Sequence, residues 1–389
     1  MTKTRARDLN WITPSHLETG FKNAITDVPG VLVGQTTLIL GEGAPLEVGV
    51  GPVRTGVTAI RPHEGNLYTD KVATAVHILN GFGKSTGIEQ IRETGTLETP
   101  ILLTNTLNVW RAADSLLDWM LKDNPDIGIR TRGTVNPMVG ECHDGWLSDI
   151  QGRHVNREHV WTALESASSG PVAEGNVGGG TGTRTYEFKA GIGTSSRVIP
   201  EKRGGFTVGV LVQANFGLRR QLAIRGLPIG KWLGDWPDKD DREISKTSED
   251  FGDQIEPGGS CMMVVATDAP LSSRQLWRLA KRAPLGLART GTVSGPGSGD
   301  YVIAFSTTNR RRPRDNQPVQ TVEHLTEEWA SFGNLAQAVV EATEEAVLNS
   351  LAAAKTIEGR DGHVAYSLPV EKVREWLRPV IDAETKDKA

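Results

Sequence analysis

Short apolar runs rich in β-branched residues recur along this chain, and they constrain its fold more than any other feature. Residues 72–79, 100–104, 205–214 and 261–266 have this composition, which is typical of strands buried in a sheet. Helix-like segments lie between and after these runs. The sequence therefore predicts a mixed α/β protein, and 389 residues can form one large α/β domain.

Apolar residues at helical spacing mark three segments. Residues 335–354 are rich in alanine and repeat apolar positions near every 3.6 residues, so we expect a long helix there. Ser272 and Gln275 have the spacing of a capping box, which predicts that another helix begins at this point. A third helix is predicted over residues 107–122, with its apolar face formed by Leu107, Trp110, Ala113, Leu116 and Leu117.

The bulk composition excludes several classes of protein. A net charge of −4 without a basic cluster argues against nucleic acid binding. No apolar run approaches the roughly 20 residues that cross a bilayer, and the basic start of the chain is not followed by the apolar stretch of a secretion signal. Cys142 and Cys261 are the only cysteines, which suits a reducing compartment. We therefore expect a cytoplasmic protein with no nucleic-acid or membrane partner.

The sequence Gly83-Lys84-Ser85 suggests a phosphate-binding loop. Such a loop needs a glycine five positions before its second glycine, so that successive amides surround the phosphate, and this chain has Ile78 there. We therefore favour a glycine-rich turn, and a nucleotide-binding enzyme is the alternative. The glycine-rich residues 175–183 follow no clear strand and open no helix, which favours a closely packed backbone.

Residues that often bind metals are scattered along the chain. The histidines form no HExxH motif and the two cysteines are not paired in sequence, so we expect neither metal nor cofactor; the scattered histidines are His63, His77, His143 and His154. The chain also has no GxSxG motif, which argues against an α/β-hydrolase.

Residues 234–256 are densely charged, which predicts an exposed, mobile segment, and Ser260 opens an apolar strand soon after it. If the backbone bends at this junction, the Ser260 hydroxyl can attack the Gly259 carbonyl, which glycine leaves uncrowded. Water would then hydrolyse the ester and leave Ser260 with a free amine, whose pKa of about 7.7–8.0 suits a local base. Cys261 is a competing nucleophile, but its side chain should point to the opposite face of the strand.

Eight stretches of the sequence are distinctive in combination. They are AITDVPGVLVG at 24–34, VRTGVTAI at 53–60, NGFGKSTG at 80–87, GTLETPILLTNTL at 95–107, NPMVGE at 136–141, GNVGGGTG at 175–182, QANFG at 213–217 and GSCMMVVATDAPL at 259–271. A chain with these stretches resembles the DmpA-like family of self-processing aminopeptidases, which includes L-aminopeptidase/D-Ala-esterase-amidases and β-peptidyl aminopeptidases. The resemblance covers nearly the whole chain.

The resemblance implies a four-layer αββα sandwich, similar to the N-terminal nucleophile hydrolases but connected differently. It also implies one domain over residues 1–389, cleaved at Gly259–Ser260 into an α chain, 1–259, and a β chain, 260–389. These two chains would stay together, and the cleaved units would form a tetramer. The substrate would be a small peptide, amide or ester with a free amino terminus.

The same resemblance assigns roles to individual residues. Ser260 matches the nucleophile at the head of the β chain. Ser298, in GPGSGD, matches a second serine that hydrogen-bonds near the nucleophile and its amine. Asp300 matches an acidic position where the family has the longer Glu, so the resemblance leaves the reach of Asp300 open. Asn215, in QANFG, matches the side-chain donor of the oxyanion hole, and an amide is the kind of donor that such a hole requires.

Substrate recognition is assigned in the same way. Glu141, in NPMVGE, matches the carboxylate that pairs with the substrate's amino group, and a buried carboxylate is a natural partner for an ammonium. His143 should lie beside it, and together with Trp146 should form part of the substrate pocket. Relatives differ between L-amino acid, D-alanine and β-amino acid substrates, and the sequence leaves this choice open. The alternatives to a self-cleaving aminopeptidase are the nucleotide-binding enzyme above and a non-catalytic binding protein.

Overall fold

The computed structural model describes residues 4–130, 133–234, 236–237, 259–312 and 319–386. Of the charged segment 234–256, only Gly234, Trp236 and Pro237 are among the described residues, so the prediction of an exposed, mobile segment concerns residues that lie outside them.

The described residues form both strands and helices, in a mixed order along the chain. The strands are β1 (Leu32–Leu40), β2 (Val53–Arg61), β3 (Lys71–Gly81), β4 (Thr96–Leu97), β5 (Ile101–Asn105), β6 (Met138–Cys142), β7 (Arg184–Thr185), β8 (Phe188–Lys189), β9 (Ile192–Val198), β10 (Thr207–Asn215), β11 (Ser260–Thr267), β12 (Gly299–Arg311), β13 (Ile357–Glu358) and β14 (Val364–Ala365). The helices are α1 (Ile88–Thr94), α2 (Val109–Asp123), α3 (Arg157–Glu165), α4 (Ile229–Leu233), α5 (Ser273–Ala280), α6 (Ala283–Arg289), α7 (Asn334–Ala352) and α8 (Val370–Lys386).

Two sheets form the centre of the molecule. The first has four strands in the order β1-β2-β5-β6, and the second has six in the order β4-β3-β12-β11-β10-β9. In the six-stranded sheet β11 runs parallel to β12 and antiparallel to β10, and β12 runs antiparallel to β3. Residues from both sheets share one apolar core, which shows that the sheets are stacked face to face.

Helices cover the outer face of each sheet. Apolar side chains of α2 and α3 pack with those of β2, β5 and β6. On the other side, α5, α6 and α7 pack on the six-stranded sheet in the largest core of the described residues. The layers are therefore helix, sheet, sheet and helix, which confirms the four-layer expectation.

Strand β11 shows why the apolar runs are continuous. All eight of its residues are buried. Alternate side chains enter different cores, because successive residues of a strand point to opposite faces. Cys261 and Met263 pack toward the helices, whereas Met262 and Val264 pack between the two sheets. Ser260 has the same parity as Met262, so its side chain faces the space between the sheets.

The predicted helices are present, with one correction. The Ser272 hydroxyl accepts the Gln275 backbone N–H at 3.3 Å, which confirms the capping box of α5, and α7 covers most of residues 335–354. The predicted apolar face of α2 was wrong in part, because Trp110 is 55% exposed. The helix begins at Val109 after a 3₁₀ turn that contains Leu107, and its buried face is formed by Val109, Ala112, Leu116 and Met120.

The glycine-rich residues 175–183 pack closely against the rest of the chain, as the sequence predicted. Gly178–Gly180 form one 3₁₀ turn. A Cβ on Gly179 would lie 2.6 Å from the Leu103 carbonyl oxygen, and one on Gly180 would lie 2.4 Å from the Ile192 nitrogen. Glycine is required here because neighbouring backbone occupies the space that a side chain would need.

Candidate active site

Ser260 stands at the start of β11, at an edge of the six-stranded sheet. It pairs with Asn215 at the end of β10 and with Gly299 at the start of β12. Gly299 in turn pairs with Gly81 at the end of β3. Four strand ends therefore meet around Ser260, and the serine itself is buried. The predicted nucleophile and the predicted oxyanion donor come together because they are paired residues of neighbouring strands.

The Asn215 side chain is hydrogen-bonded at both ends of its amide. Its Nδ2 donates to the Ser260 Oγ at 3.2 Å, and its Oδ1 accepts the backbone N–H of Arg184 at 3.1 Å. The bond from Arg184 fixes which end of the amide faces Ser260. Asn215 therefore presents an N–H donor to the serine, as an oxyanion hole requires.

The carbonyl of Gly259, the residue before Ser260, is also fixed. Its oxygen accepts the backbone N–H of Gly299 at 3.0 Å. A Cβ on Gly259 would lie 3.0 Å from the Ser298 Oγ, so glycine allows this serine to approach the junction closely. A hydrogen bond to a carbonyl oxygen draws electrons from the carbon and stabilises the charge that develops when a nucleophile attacks it.

Asp300 holds two serine hydroxyl groups. The Ser298 hydroxyl donates to Asp300 Oδ1 at 2.8 Å, and the Ser294 hydroxyl donates to Oδ2. The carboxylate is buried, and this burial raises the pKa of Asp300 although the two hydroxyl groups counteract the shift. The shorter Asp therefore reaches Ser298 directly and orients its hydroxyl next to Gly259.

Glu141 is a buried carboxylate in β6, on the strand that crosses above β10 and β11. Its Oε1 accepts the backbone N–H of Lys84 at 3.0 Å, and its Oε2 accepts the hydroxyl of Thr106. Each oxygen thus has one donor from this chain and retains a lone pair for another. This arrangement can receive a substrate ammonium without leaving the carboxylate unsatisfied beforehand.

His143 and Trp146 follow Glu141 along the chain. His143 is exposed. The Trp146 ring lies between two side chains: the guanidinium carbon of Arg184 is 3.5 Å from the ring centre, and the His363 ring stacks on it at 4.7 Å and 8° from parallel. His363 also hydrogen-bonds the Trp146 carbonyl through Nδ1 at 2.8 Å, so the indole is held in place.

Both cysteines are poorly suited to act as nucleophiles. Cys142 and Cys261 are buried and free, and burial raises the pKa of each thiol. The Cys142 thiol donates to the Gln213 carbonyl at 3.3 Å, and Cys261 faces the helices. The thiolate is the reactive form of cysteine, so these environments favour Ser260.

The Gly83-Lys84-Ser85 loop belongs to this site but not as a phosphate loop. The Lys84 N–H, which a phosphate would need, is bound to Glu141. The sequence did not predict this role, since a backbone amide leaves no residue signature. It also missed Thr106, Ser294 and Gly299, although Thr106 lies inside the stretch 95–107 and Ser294 only four residues before Ser298.

Within the described ranges, no helix is long and apolar enough to span a bilayer. In the same ranges no three His, Cys, Asp or Glu side chains are grouped as metal ligands.

Comparison with known proteins gives consistent results. The model of peptidase family S58 matches residues 23–365. The beta-peptidyl aminopeptidase BapA of Sphingosinicella xenopeptidilytica is 43% identical over 375 residues, which cover 96% of this chain and 91% of that protein.

Two solved structures have the same fold over nearly their full length. The PH0078 protein from Pyrococcus horikoshii OT3 superposes with a TM-score of 0.87 at 46% identity, covering 97% of this chain and 99% of the other. The L-aminopeptidase D-Ala-esterase/amidase of Ochrobactrum anthropi superposes with a TM-score of 0.85 at 39% identity and the same coverage. That enzyme is described as a prototype for the serine aminopeptidases and as a variant of the N-terminal nucleophile hydrolase fold.

Proposed function

This chain belongs to peptidase family S58 and is a serine aminopeptidase of the N-terminal nucleophile type, and on that premise we propose that it is made as a precursor that cleaves itself at Gly259–Ser260. The observation that carries the proposal is the junction itself. Ser260 has the Asn215 amide at 3.2 Å, and the Gly259 carbonyl oxygen before it has the Gly299 N–H at 3.0 Å.

In the proposed maturation, the Ser260 hydroxyl oxygen attacks the Gly259 carbonyl carbon. The Gly299 N–H stabilises the charge on the carbonyl oxygen. The hydroxyl proton passes to the Ser260 nitrogen as the C–N bond breaks, and the acyl group is thereby transferred from nitrogen to oxygen as an ester. Water then hydrolyses the ester. The products are residues 1–259, ending in the Gly259 carboxylate, and residues 260–389, beginning with the free amine of Ser260.

In the mature enzyme the same hydroxyl attacks the substrate. The Ser260 amine takes the proton and later gives it to the leaving amine, as in other enzymes with a nucleophile at the chain start. Asn215 donates to the oxyanion, and Ser298, held by Asp300, hydrogen-bonds close to the amine. An ester between the substrate's first residue and Ser260 forms, and water releases it.

Glu141 gives the enzyme its requirement for a free amino terminus in this proposal. Acyl transfer itself does not distinguish the end of a peptide from its interior, so another group must recognise the terminal ammonium. Glu141 is buried, and its two hydrogen bonds from Lys84 and Thr106 hold it in one orientation. His143, two residues further on and exposed, would contact the substrate's first side chain.

A denaturing gel of purified protein tests the maturation. We expect two bands without added protease, and N-terminal sequencing of the smaller one should begin Ser-Cys-Met-Met. A Ser260→Ala protein should remain one inactive chain, whereas the matched control Cys261→Ala should still be cleaved. Efficient cleavage of Ser260→Ala, or loss of cleavage in Cys261→Ala alone, would contradict the assignment of the nucleophile.

Substrate class, location and assembly complete the proposal. The relatives' names point to residues released from peptides, amides or esters, with an L-amino acid, D-alanine or a β-amino acid in first position. A panel of p-nitroanilides with these three kinds of residue would separate them. We propose the cytoplasm as the location, which two free, buried cysteines support. We also propose a tetramer of cleaved units, which light scattering would test.

A further inference from the structure

Arg184 differs from the buried arginines Arg54 and Arg197 in how its guanidinium is satisfied. Arg54 donates to four backbone carbonyl groups, and Arg197 pairs with the carboxylates of Glu341 and Glu345. The Arg184 guanidinium, over the described residues, has neither a hydrogen bond nor an ion pair, and its contact is with the face of Trp146. Glu187 acts on it from a distance, but that carboxylate lies 3.6 Å from the Nε of Arg219.

The backbone of Arg184 stands next to the candidate catalytic residues. The backbone N–H of Arg184 is bonded to Asn215, whose other end faces Ser260. The side chain is held flat, because Trp146 is itself fixed by stacking on His363. Arg184 is half-buried, so part of this residue remains open to solvent. A planar fork of donors on an aromatic platform is suited to a carboxylate.

The strand order shows on which side of Ser260 the backbone of Arg184 is anchored. At this edge of the sheet the order is β3, β12, β11 and β10. Glu141 is anchored on the β3 side, through the loop that follows β3 and contains Lys84. Arg184 is anchored on the β10 side, through Asn215. Ser260, at the start of β11, lies between the two anchors.

A peptide that places its ammonium on Glu141 and its carbonyl on Ser260 must therefore direct its leaving residue toward β10. The carboxyl group of that residue lies about one Cα step, ~3.8 Å, beyond the scissile bond, and neighbouring strands are about 4.8 Å apart. We infer that Arg184, on its Trp146 platform, binds the terminal carboxylate of the leaving residue, so that dipeptides are the preferred substrates. This inference rests on the proposed aminopeptidase function. It adds recognition of the substrate's carboxyl terminus to the proposed recognition of its amino terminus.

Three substrates with the same first residue test the inference: a dipeptide ending in glycine, the same dipeptide as its C-terminal amide, and the p-nitroanilide. The first residue is the one released fastest from the p-nitroanilide panel. We expect the parent enzyme to prefer the dipeptide over its amide at least tenfold in kcat/KM, mainly through KM. In Arg184→Gln this ratio should fall toward one, and Arg184→Lys, with charge but no planar fork, should be intermediate. The surface variant Arg289→Gln is the matched control and should keep the parent ratio.

The outcomes distinguish a failure of this inference from a failure of the proposed aminopeptidase function. Hydrolysis of the p-nitroanilide by the parent, and its loss in Ser260→Ala, test the aminopeptidase itself. If the parent hydrolyses the p-nitroanilide but treats the dipeptide and its amide alike, Arg184 does not bind a carboxylate, and no variant is needed for that conclusion. Equal fractional losses on all three substrates in Arg184→Gln would mean that the side chain only supports Trp146, which also overturns the inference.

Discussion

Glu141 is the residue to which we assign recognition of the substrate's amino group. Its carboxylate is buried, and its two oxygens accept one hydrogen bond each from Lys84 and Thr106, which leaves each oxygen a lone pair for the proposed substrate ammonium. Glu141→Gln keeps the shape and removes the charge. A charge-assisted hydrogen bond contributes roughly 1.5–3 kcal/mol, and each 1.4 kcal/mol is about tenfold in rate. We therefore expect kcat/KM on a p-nitroanilide to fall by about one to two orders of magnitude.

The N-acetylated substrate is the control for this prediction, because it has no ammonium. It should already be very poor for the parent and change little in Glu141→Gln. The variant should still cleave itself, since the precursor has no free amine at Gly259. The same fractional loss on both substrates would show that Glu141 does not recognise the amine, and an uncleaved variant would assign it to folding or maturation.

Asp144 predicts a pH dependence of stability. Burial raises the pKa of this carboxyl to about 7, and Thr55 and Asn105 counteract the shift only in part. Between about pH 4 and pH 7 the unfolded chain has lost this proton while the folded protein keeps it. The free energy of unfolding therefore falls as the pH rises through this window and levels off above it. The side chain of Asn does not titrate, so the Asp144→Asn variant should lack the part of this fall in the free energy of unfolding that comes from Asp144.

Thermal unfolding at pH 5, 6, 7 and 8 measures the effect, with Ser260→Ala as the background so that cleavage does not interfere. The Tm of the Asn variant relative to its parent should increase from pH 5 to pH 8. Asp114→Asn, at an exposed position of α2, is the control and should show no such trend. A difference that is constant or decreases with pH would contradict the burial of an Asp144 carboxyl with a raised pKa.

At the scale of elements, the contact between β9 and α7 depends on one glycine. A Cβ on Gly193 would lie 1.9 Å from the Ala346 carbonyl oxygen and 2.8 Å from the Ser350 nitrogen, both in the backbone of α7. Gly193→Ala must therefore separate the helix from the sheet. Overpacking of this kind costs about 1–3 kcal/mol or more. Urea unfolding should show the loss, whereas Gly170→Ala, whose Cβ would meet only the Ser168 hydroxyl at 3.4 Å, should change stability little.

The strands and helices also show which features of the fold could be predicted from the sequence. The continuous apolar runs predicted buried strands, because strands between two layers need apolar residues on both faces, and β11 has them. The capping box gave the start of α5 in the same way. The face of α2 was less predictable, because Trp110 fits the apolar pattern and yet is exposed. Periodicity shows that a face exists, but the sheet beneath decides which residues it covers.

Some residues of the candidate site could be predicted from the sequence, and others could not. Ser260, Asn215, Ser298, Asp300 and Glu141 could be named through the resemblance of their motifs to a known family. The structure brings the first four together around one strand junction. Their supports could not be named. The amides of Lys84, Gly299 and Arg184 act through the backbone, which every residue has, so no sequence pattern identifies them. Only the order and pairing of the strands reveal these contacts.

At the scale of the whole molecule, the proposed cleavage divides one sheet between two chains. β11 and β12 come from residues 260–389, and they lie in the six-stranded sheet between β10 and β3, which come from residues 1–259. The two products therefore share backbone hydrogen bonds on both sides. We expect them to elute together in native size-exclusion chromatography and to separate only in denaturant. Separation under native conditions would show that the cleaved protein does not keep this sheet.

This central position of β11 and β12 has a consequence for the lifetime of the enzyme. In the precursor, the middle strands are tethered to the outer ones, and refolding is a unimolecular process. After cleavage the same sheet can be rebuilt only when two separate chains meet, so the rate of recovery depends on the protein concentration. The rate at which denatured Ser260→Ala protein refolds should be independent of its concentration, whereas the cleaved enzyme should regain its fold more slowly as it is diluted. If the proposed cleavage occurs, the mature enzyme loses the efficient refolding of its precursor, and its working life is then set by the rate at which the sheet first opens.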